Sequence, residues 1–176
     1  MRRISLSVFF GVFVFLLFIV NPLWGEGSEE RGEELTEEDK KVIAELISAI
    51  ESGEEALRNY VRENRDRIKG DIVLELAESG VNERSEGMLY SALIIAEEKG
   101  DEKILADVYV QLAYYYYLIS DNPKSLEYSK KALPIYEKLN DLSGQGNVYS
   151  SIGDIYLRTG EMEKAMKMYE RALPYF

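Results

Sequence analysis

The stretch GNVYSSIGDIYLRTGEMEKAMKMYERALPYF runs from Gly146 to Phe176, and its reading decides the fold. Tyr149, Ile152, Gly153 and Tyr156 stand three or four apart, which places them on one helical face, and Ala165, Tyr169 and Ala172 do the same further on. Gly160 lies between the two runs and predicts a turn. Small residues at Gly153 and Ala165 allow two antiparallel helices to approach closely, and a ring set beside each fills the gap and fixes the crossing. The stretch is a helical hairpin.

A single hairpin cannot bury its own apolar face, so the pattern should recur upstream. Ala172-Leu173-Pro174 returns 40 residues earlier as Ala132-Leu133-Pro134, and Tyr149, Gly153, Tyr156 and Gly160 return as Tyr109, Ala113, Tyr116 and Ser120. A second step of 40 meets Ala92-Leu93, with Leu76, Gly80 and Leu89 before it. That first copy is degenerate at this spacing, because Lys69 and Val73 stand where the later copies have Tyr and a small residue.

These residues resemble the tetratricopeptide repeat. In the last copy Tyr149, Ile152, Gly153, Tyr156, Ala165, Tyr169 and Ala172 match every position of the family pattern. The middle copy departs at Ser125 and Ser129, with Tyr128 able to supply a ring nearby. The period of 40 exceeds the family's usual 34 and is similar to the long-helix variant found beside CHAT domains and in signalling scaffolds. The resemblance implies an all-α fold of antiparallel helix-hairpin repeats, stacked as a right-handed superhelical solenoid. It also implies a protein-interaction scaffold whose first helices line a concave groove. The groove positions fall on Asp107, Val110, Tyr114, Tyr117 and Leu118, then on Asn147, Ser150, Asp154, Leu157 and Arg158. Members that grip a C-terminal carboxylate use Lys and Asn at positions held here by Val110 or Ser150 and by Tyr114 or Asp154, so that clamp is missing. The peptide-binding candidates are Asp107, Tyr114, Tyr117, Asn147, Asp154 and Arg158, a set suited to an aromatic or basic peptide.

The organisation expected around the repeats is a signal peptide at 1–25, an acidic tether at 26–35, an N-terminal helical hairpin at 36–70, a degenerate repeat at 71–100, and repeats at 101–140 and 141–176. Arg2 and Arg3 precede an apolar run from Ile4 to Val20, and Asn21-Pro22-Leu23-Trp24-Gly25 is a helix-breaking exit ending in a small residue. This order predicts export to the periplasm or beyond. The alternative is a membrane anchor kept at residues 4–20, although 17 residues span only about 25 Å of a core of roughly 30 Å. Glu26 to Glu34 has no apolar residue and reads as solvated chain.

Further along, Thr36 with Asp39 and Ser52 with Glu55 both have capping-box spacing. Asn122-Pro123 reads as a cap followed by proline in the first turn, whereas Pro134 and Pro174 fall inside the helical pattern, Pro134 as a kink. The face carrying Arg58, Arg62, Arg65, Arg67 and Lys69 is basic, and internal ion pairs or an anionic partner would each explain it. Gly144-Gln145-Gly146 reads as a flexible helix boundary rather than a phosphate loop, since neither a strand nor a Lys accompanies it.

Composition narrows the function. The 176 residues contain neither Cys nor His, which removes disulfides, Cys/His metal sites and the commonest nucleophile and acid–base pairings. A net charge of −11 opposes binding to nucleic acid. The abundance of Glu and Lys over Gln leans toward a thermophile. No cofactor, metal or catalytic residue is expected, and the chain is not expected to be an enzyme. The last hairpin should leave an apolar edge, with self-association through Tyr175 and Phe176 as one outcome. The main expectation is an exported scaffold binding protein or peptide. The alternative is a sensor or adaptor segment of a longer signalling or CHAT-type protein.

Overall fold

A computed structural model describes residues 36–175, so the expectations for residues 1–25 and 26–35, and for Phe176, lie outside the described residues. Within them the chain is all-α. Eight helices follow one another: α1 Glu37–Ser52, α2 Glu54–Glu63, α3 Gly70–Asn82, α4 Glu86–Lys99, α5 Glu102–Leu118, α6 Asn122–Leu139, α7 Leu142–Arg158 and α8 Met162–Ala172, with a 3-10 turn at Leu173–Tyr175. The chain forms two compact units, the first ending at Lys99 and the second beginning at Gly100. In the first unit α1 packs on α2, and α4 packs on both α2 and α3.

In the first unit α1 opens with a capping box: Thr36 Oγ1 accepts from the Asp39 N–H at 3.1 Å, and the Asp39 carboxylate accepts from the Thr36 N–H at 3.0 Å. The ammonium of Lys69, 2.9 Å away, and the Thr36 hydroxyl together hold the buried Asp39 carboxyl down at about 2. The apolar stripe Val42, Ile43, Leu46, Ile47 and Ile50 is buried as its spacing predicts. The second capping box does not form. Ser52 is the last residue of α1 and its hydroxyl donates back to the Ser48 carbonyl, while Gly53, at φ 111°, makes the turn into α2.

The basic face of α2 is answered from within the same unit. Arg58 and Arg62 converge on Glu98 at 2.9 and 2.8 Å. Arg67 reaches Glu38 and Glu45 at 2.8 and 3.1 Å, and Arg65 Nε donates to the Lys99 carbonyl at 2.6 Å. The guanidinium pair beside Glu98 pulls its carboxyl below the usual range. These contacts pair the basic groups internally, the first of the two explanations for this face.

The first repeat copy sits in a different register from the one its sequence suggested. Helix-ending turns close where an N–H returns to the carbonyl five residues back, from Ser85 to Gly80 at 2.8 Å, from Asp121 to Tyr116 at 2.9 Å and from Glu161 to Tyr156 at 2.8 Å. The residue before each donor is left-handed: Arg84 at φ 51°, Ser120 at 64° and Gly160 at 80°. The first interval is therefore 36 residues and the second 40. Sliding the first copy by one helical turn puts the fully buried Ala77, not Val73, opposite Ala113 and Gly153, and puts Leu93 opposite Ser129 and Tyr169. Gly80 accordingly lies inside α3, where a Cβ would meet Leu89 Cγ at 2.8 Å.

In the second unit α5 pairs with α6, α6 packs on α7, and α7 pairs with α8. Tyr169 packs directly against Gly153, so that a Cβ there would come within 2.6 Å of the ring. Asp121, one residue before the expected Asn122, caps α6 by accepting from Lys124 N–H, with Pro123 in the first turn. The helix continues through Pro134, whereas Pro174 belongs to the closing 3-10 turn rather than to α8. Tyr175, expected as a free edge, is half-buried and stacks on Tyr149 with ring centroids 6.1 Å apart. Among the described residues, the most exposed large apolar side chains at this end are Met162, Met166 and Leu173, at 60%, 63% and 71% exposure.

Gly144 is the other correction. It forms the first turn of α7, its N–H donates to Asp141 at 2.8 Å, and a Cβ would sit 2.5 Å from Tyr136 Cδ1. Tyr136 is buried and its hydroxyl donates to Asp107 at 2.7 Å, so the ring has little room to move. Helix propensity alone would make Gly144→Ala stabilising by up to about 1 kcal/mol. We expect the reverse, a loss of about 1–3 kcal/mol from overpacking in urea unfolding; an unchanged or raised midpoint would show that the ring yields.

Candidate functional site

A cleft of about 420 Å³ opens in the second unit, within the size range of ligand pockets. Helix α5 presents Val110, Gln111, Ala113, Tyr114 and Tyr117 to it, of which Val110, Tyr114 and Tyr117 stand at groove spacing. Its remaining walls come from Ser125 and Ser129 of α6 and from Val148, Ser151 and Asp154 of α7. Ser125 and Ser129 are buried, and their hydroxyls donate to the carbonyls of Ala113 at 2.8 Å and Ser125 at 2.9 Å. The floor is thus small, smooth and internally satisfied.

Three of the six residues singled out from sequence meet here: Tyr114, Tyr117 and Asp154. Tyr114 is 52% exposed, a large value for a ring in a packed helix pair. The other three are engaged elsewhere. Asp107 accepts from Tyr136 Oη at 2.7 Å and pairs with Lys103 at 2.8 Å; burial, then Asp107, push the Tyr136 phenol up. Asn147 is exposed outside the lining and its carbonyl receives Ser151 Oγ at 2.9 Å. Arg158 places its guanidinium 3.7 Å from the centre of the Tyr117 ring, donates to the Tyr117 carbonyl at 2.6 Å and bonds Asn122 Oδ1. It positions Tyr117 and ties α7 to the ends of α5 and α6.

Sequence reading missed Gln111, Ala113, Ser125, Ser129, Val148 and Ser151 as cleft residues. The signal was available at Ser125 and Ser129, where the middle copy departs from its neighbours. Tyr128, one residue before Ser129, does not fill the space: its ring stacks on Tyr116 with centroids 5.6 Å apart and lies 6.0 Å from Tyr109.

Residues 104–176, the two hairpins that form this cleft, match a family model described as tetratricopeptide repeat. This C-terminal stretch is therefore similar to that family, whose members are characteristically protein-interaction scaffolds. Comparison with curated proteins gives no match.

Asp154 also accepts from Tyr169 Oη at 2.6 Å, and this bond, followed by burial, pushes the Tyr169 phenol up to about 12. The carboxylate opposes the phenolate, so removing its charge should lower the titration point. NMR titration of ¹³Cζ-labelled tyrosine is expected to show one ring near 12 in the native protein that moves toward 10 in Asp154→Asn; no movement would place the cause elsewhere.

Proposed function

We propose that this protein is an exported scaffold that binds peptide segments of partner proteins in the α5–α7 cleft. The observation that carries the reading is the meeting of an exposed Tyr114, Tyr117 and the Asp154 carboxylate around one cleft. Rings offer stacking faces, the carboxylate pairs with a cation, and the chain's charge of −11 favours basic over acidic segments and disfavours nucleic acid. Export is supported by the Arg2-Arg3 start, the apolar run and the small-residue exit. A peptide library panned against the native protein and against Tyr114→Ala/Tyr117→Ala/Asp154→Ala tests it. Basic or aromatic peptides should be enriched on the native protein and lost on the variant; equal recovery on both, or enrichment of acidic peptides, would refute the assignment.

A second reading, self-association, is favoured by the exposed row of Met162, Met166 and Leu173 on one face of α8 and its following turn. Sedimentation equilibrium is expected to show concentration-dependent association that falls in Met166→Lys/Leu173→Ser and is unaffected by Tyr175→Ser. A monomer at all concentrations would discard this reading without touching the cleft.

A further inference from the structure

The equivalent positions in the three copies hold Leu93, Ser129 and Tyr169. Leu93 is buried, and Tyr169 covers the face of Gly153. Ser129 is the exception. Its side chain ends in a hydroxyl that bonds its own helix, and the volume that a large side chain would take is the floor of the cleft. The neighbouring Tyr128 turns to Tyr116 and Tyr109 and leaves that volume open.

We propose that this cleft is a socket for one aromatic side chain of a basic peptide, which takes the place that Tyr169 occupies in the last copy. The inference rests on the reading of the cleft as a peptide site and names its occupant. Within the last hairpin the chain itself shows how such a ring is held: close against a small residue, with its hydroxyl on Asp154 at 2.6 Å. In the middle hairpin the small residue is Ala113, whose Cβ would keep an incoming ring farther from α5 than Tyr169 lies from α7, within a cleft that Val110 and Val148 also line. Tyr114 and Tyr117 offer ring edges and faces beside it. Asp154 is the one charged residue of the lining, so a Lys or Arg flanking the aromatic residue is the complementary neighbour. Arg158 does not cancel that charge preference at the cleft, because its guanidinium lies on Tyr117 and bonds the Tyr117 carbonyl and Asn122.

The probes are acetyl-Lys-Phe-Lys-amide and its Lys-Ala-Lys and Glu-Phe-Glu counterparts, titrated to millimolar concentration into the ¹⁵N-labelled protein. The Lys-Phe-Lys peptide should shift the amides of Ala113, Ser129 and Val148 and bind at least about tenfold more tightly than Lys-Ala-Lys. Glu-Phe-Glu should bind more weakly than Lys-Phe-Lys, with the gap closing in Asp154→Asn. Ser129→Phe, which supplies the missing ring from within, should abolish the shifts. Ser151→Tyr, at an exposed rim position, should weaken them by at least about tenfold and decides the matter where Ser129→Phe does not fold by circular dichroism.

Equal binding of Lys-Phe-Lys and Lys-Ala-Lys, shifts confined to other residues, no shifts at millimolar peptide, or indifference to a folded Ser129→Phe would each overturn the socket. Where panned peptides still depend on Tyr114, Tyr117 and Asp154 while the socket fails these tests, the groove reading stands and only the occupant is wrong. Where the panned peptides also ignore that triple variant, both fail.

Discussion

The close approach of a tyrosine ring to a helix at a glycine position is the contact on which the C-terminal unit depends. A Cβ at Gly153 would lie 2.6 Å from Tyr169, and one at Gly144 would lie 2.5 Å from Tyr136. The first contact closes the last hairpin and the second brings α6 onto α7. Rings of this size bury large areas, so two such contacts set helix separation more firmly than a comparable pair of aliphatic side chains. Hydrogen bonds from the same rings, to Asp154 and Asp107, fix their rotation as well as their depth. The arrangement is interrupted at Ser129, where no ring is present and the cleft opens.

The N-terminal unit is held differently. Its core is aliphatic, from Val42 and Leu46 through Ile68 and Val73 to Leu89 and Ile95. Its charged surface is organised by arginines that cross between helices to Glu38, Glu45 and Glu98. Exposed pairs of this kind stabilise little individually. Their consequence for function is that the basic face is locally neutralised, while the cleft of the other unit shows a carboxylate.

Much of this was legible in the residues. Small and aromatic positions recur at helical spacing, and periodic burial is a local property, so the hairpins, the Gly153–Tyr169 pairing and the stripe from Val42 to Ile50 could be read directly. What escaped was set by contacts between elements. The 36-residue first interval could not be separated from 40, because sliding by one turn returns residues to nearly the same helical face. Gly144-Gln145-Gly146 has the composition of a flexible boundary, and only the ring of Tyr136 across the hairpin junction shows why glycine is needed there. Ser52 and Asn122 had plausible capping spacing, but Gly53 and Asp121 take the turn and the cap, each one position away. Among the candidate site residues, Tyr114, Tyr117 and Asp154 face one cleft, while Asp107 and Arg158 have internal partners 29 and 41 residues away that spacing on one helix cannot reveal.

The central claim is that in the C-terminal unit a ring closes the last hairpin at Gly153, whereas none closes the preceding hairpin over Ser129. The most direct measurement is a ¹³C-edited NOESY spectrum of the protein with labelled tyrosine and glycine. The structure requires strong contacts from the Tyr169 ring to Gly153 Hα, and from the Tyr128 ring to Tyr116 and Tyr109, with none from Tyr128 to Val148. Cross-peaks from the Tyr128 ring to Val148 would show that the chain fills the cleft with its own ring, and would contradict the account.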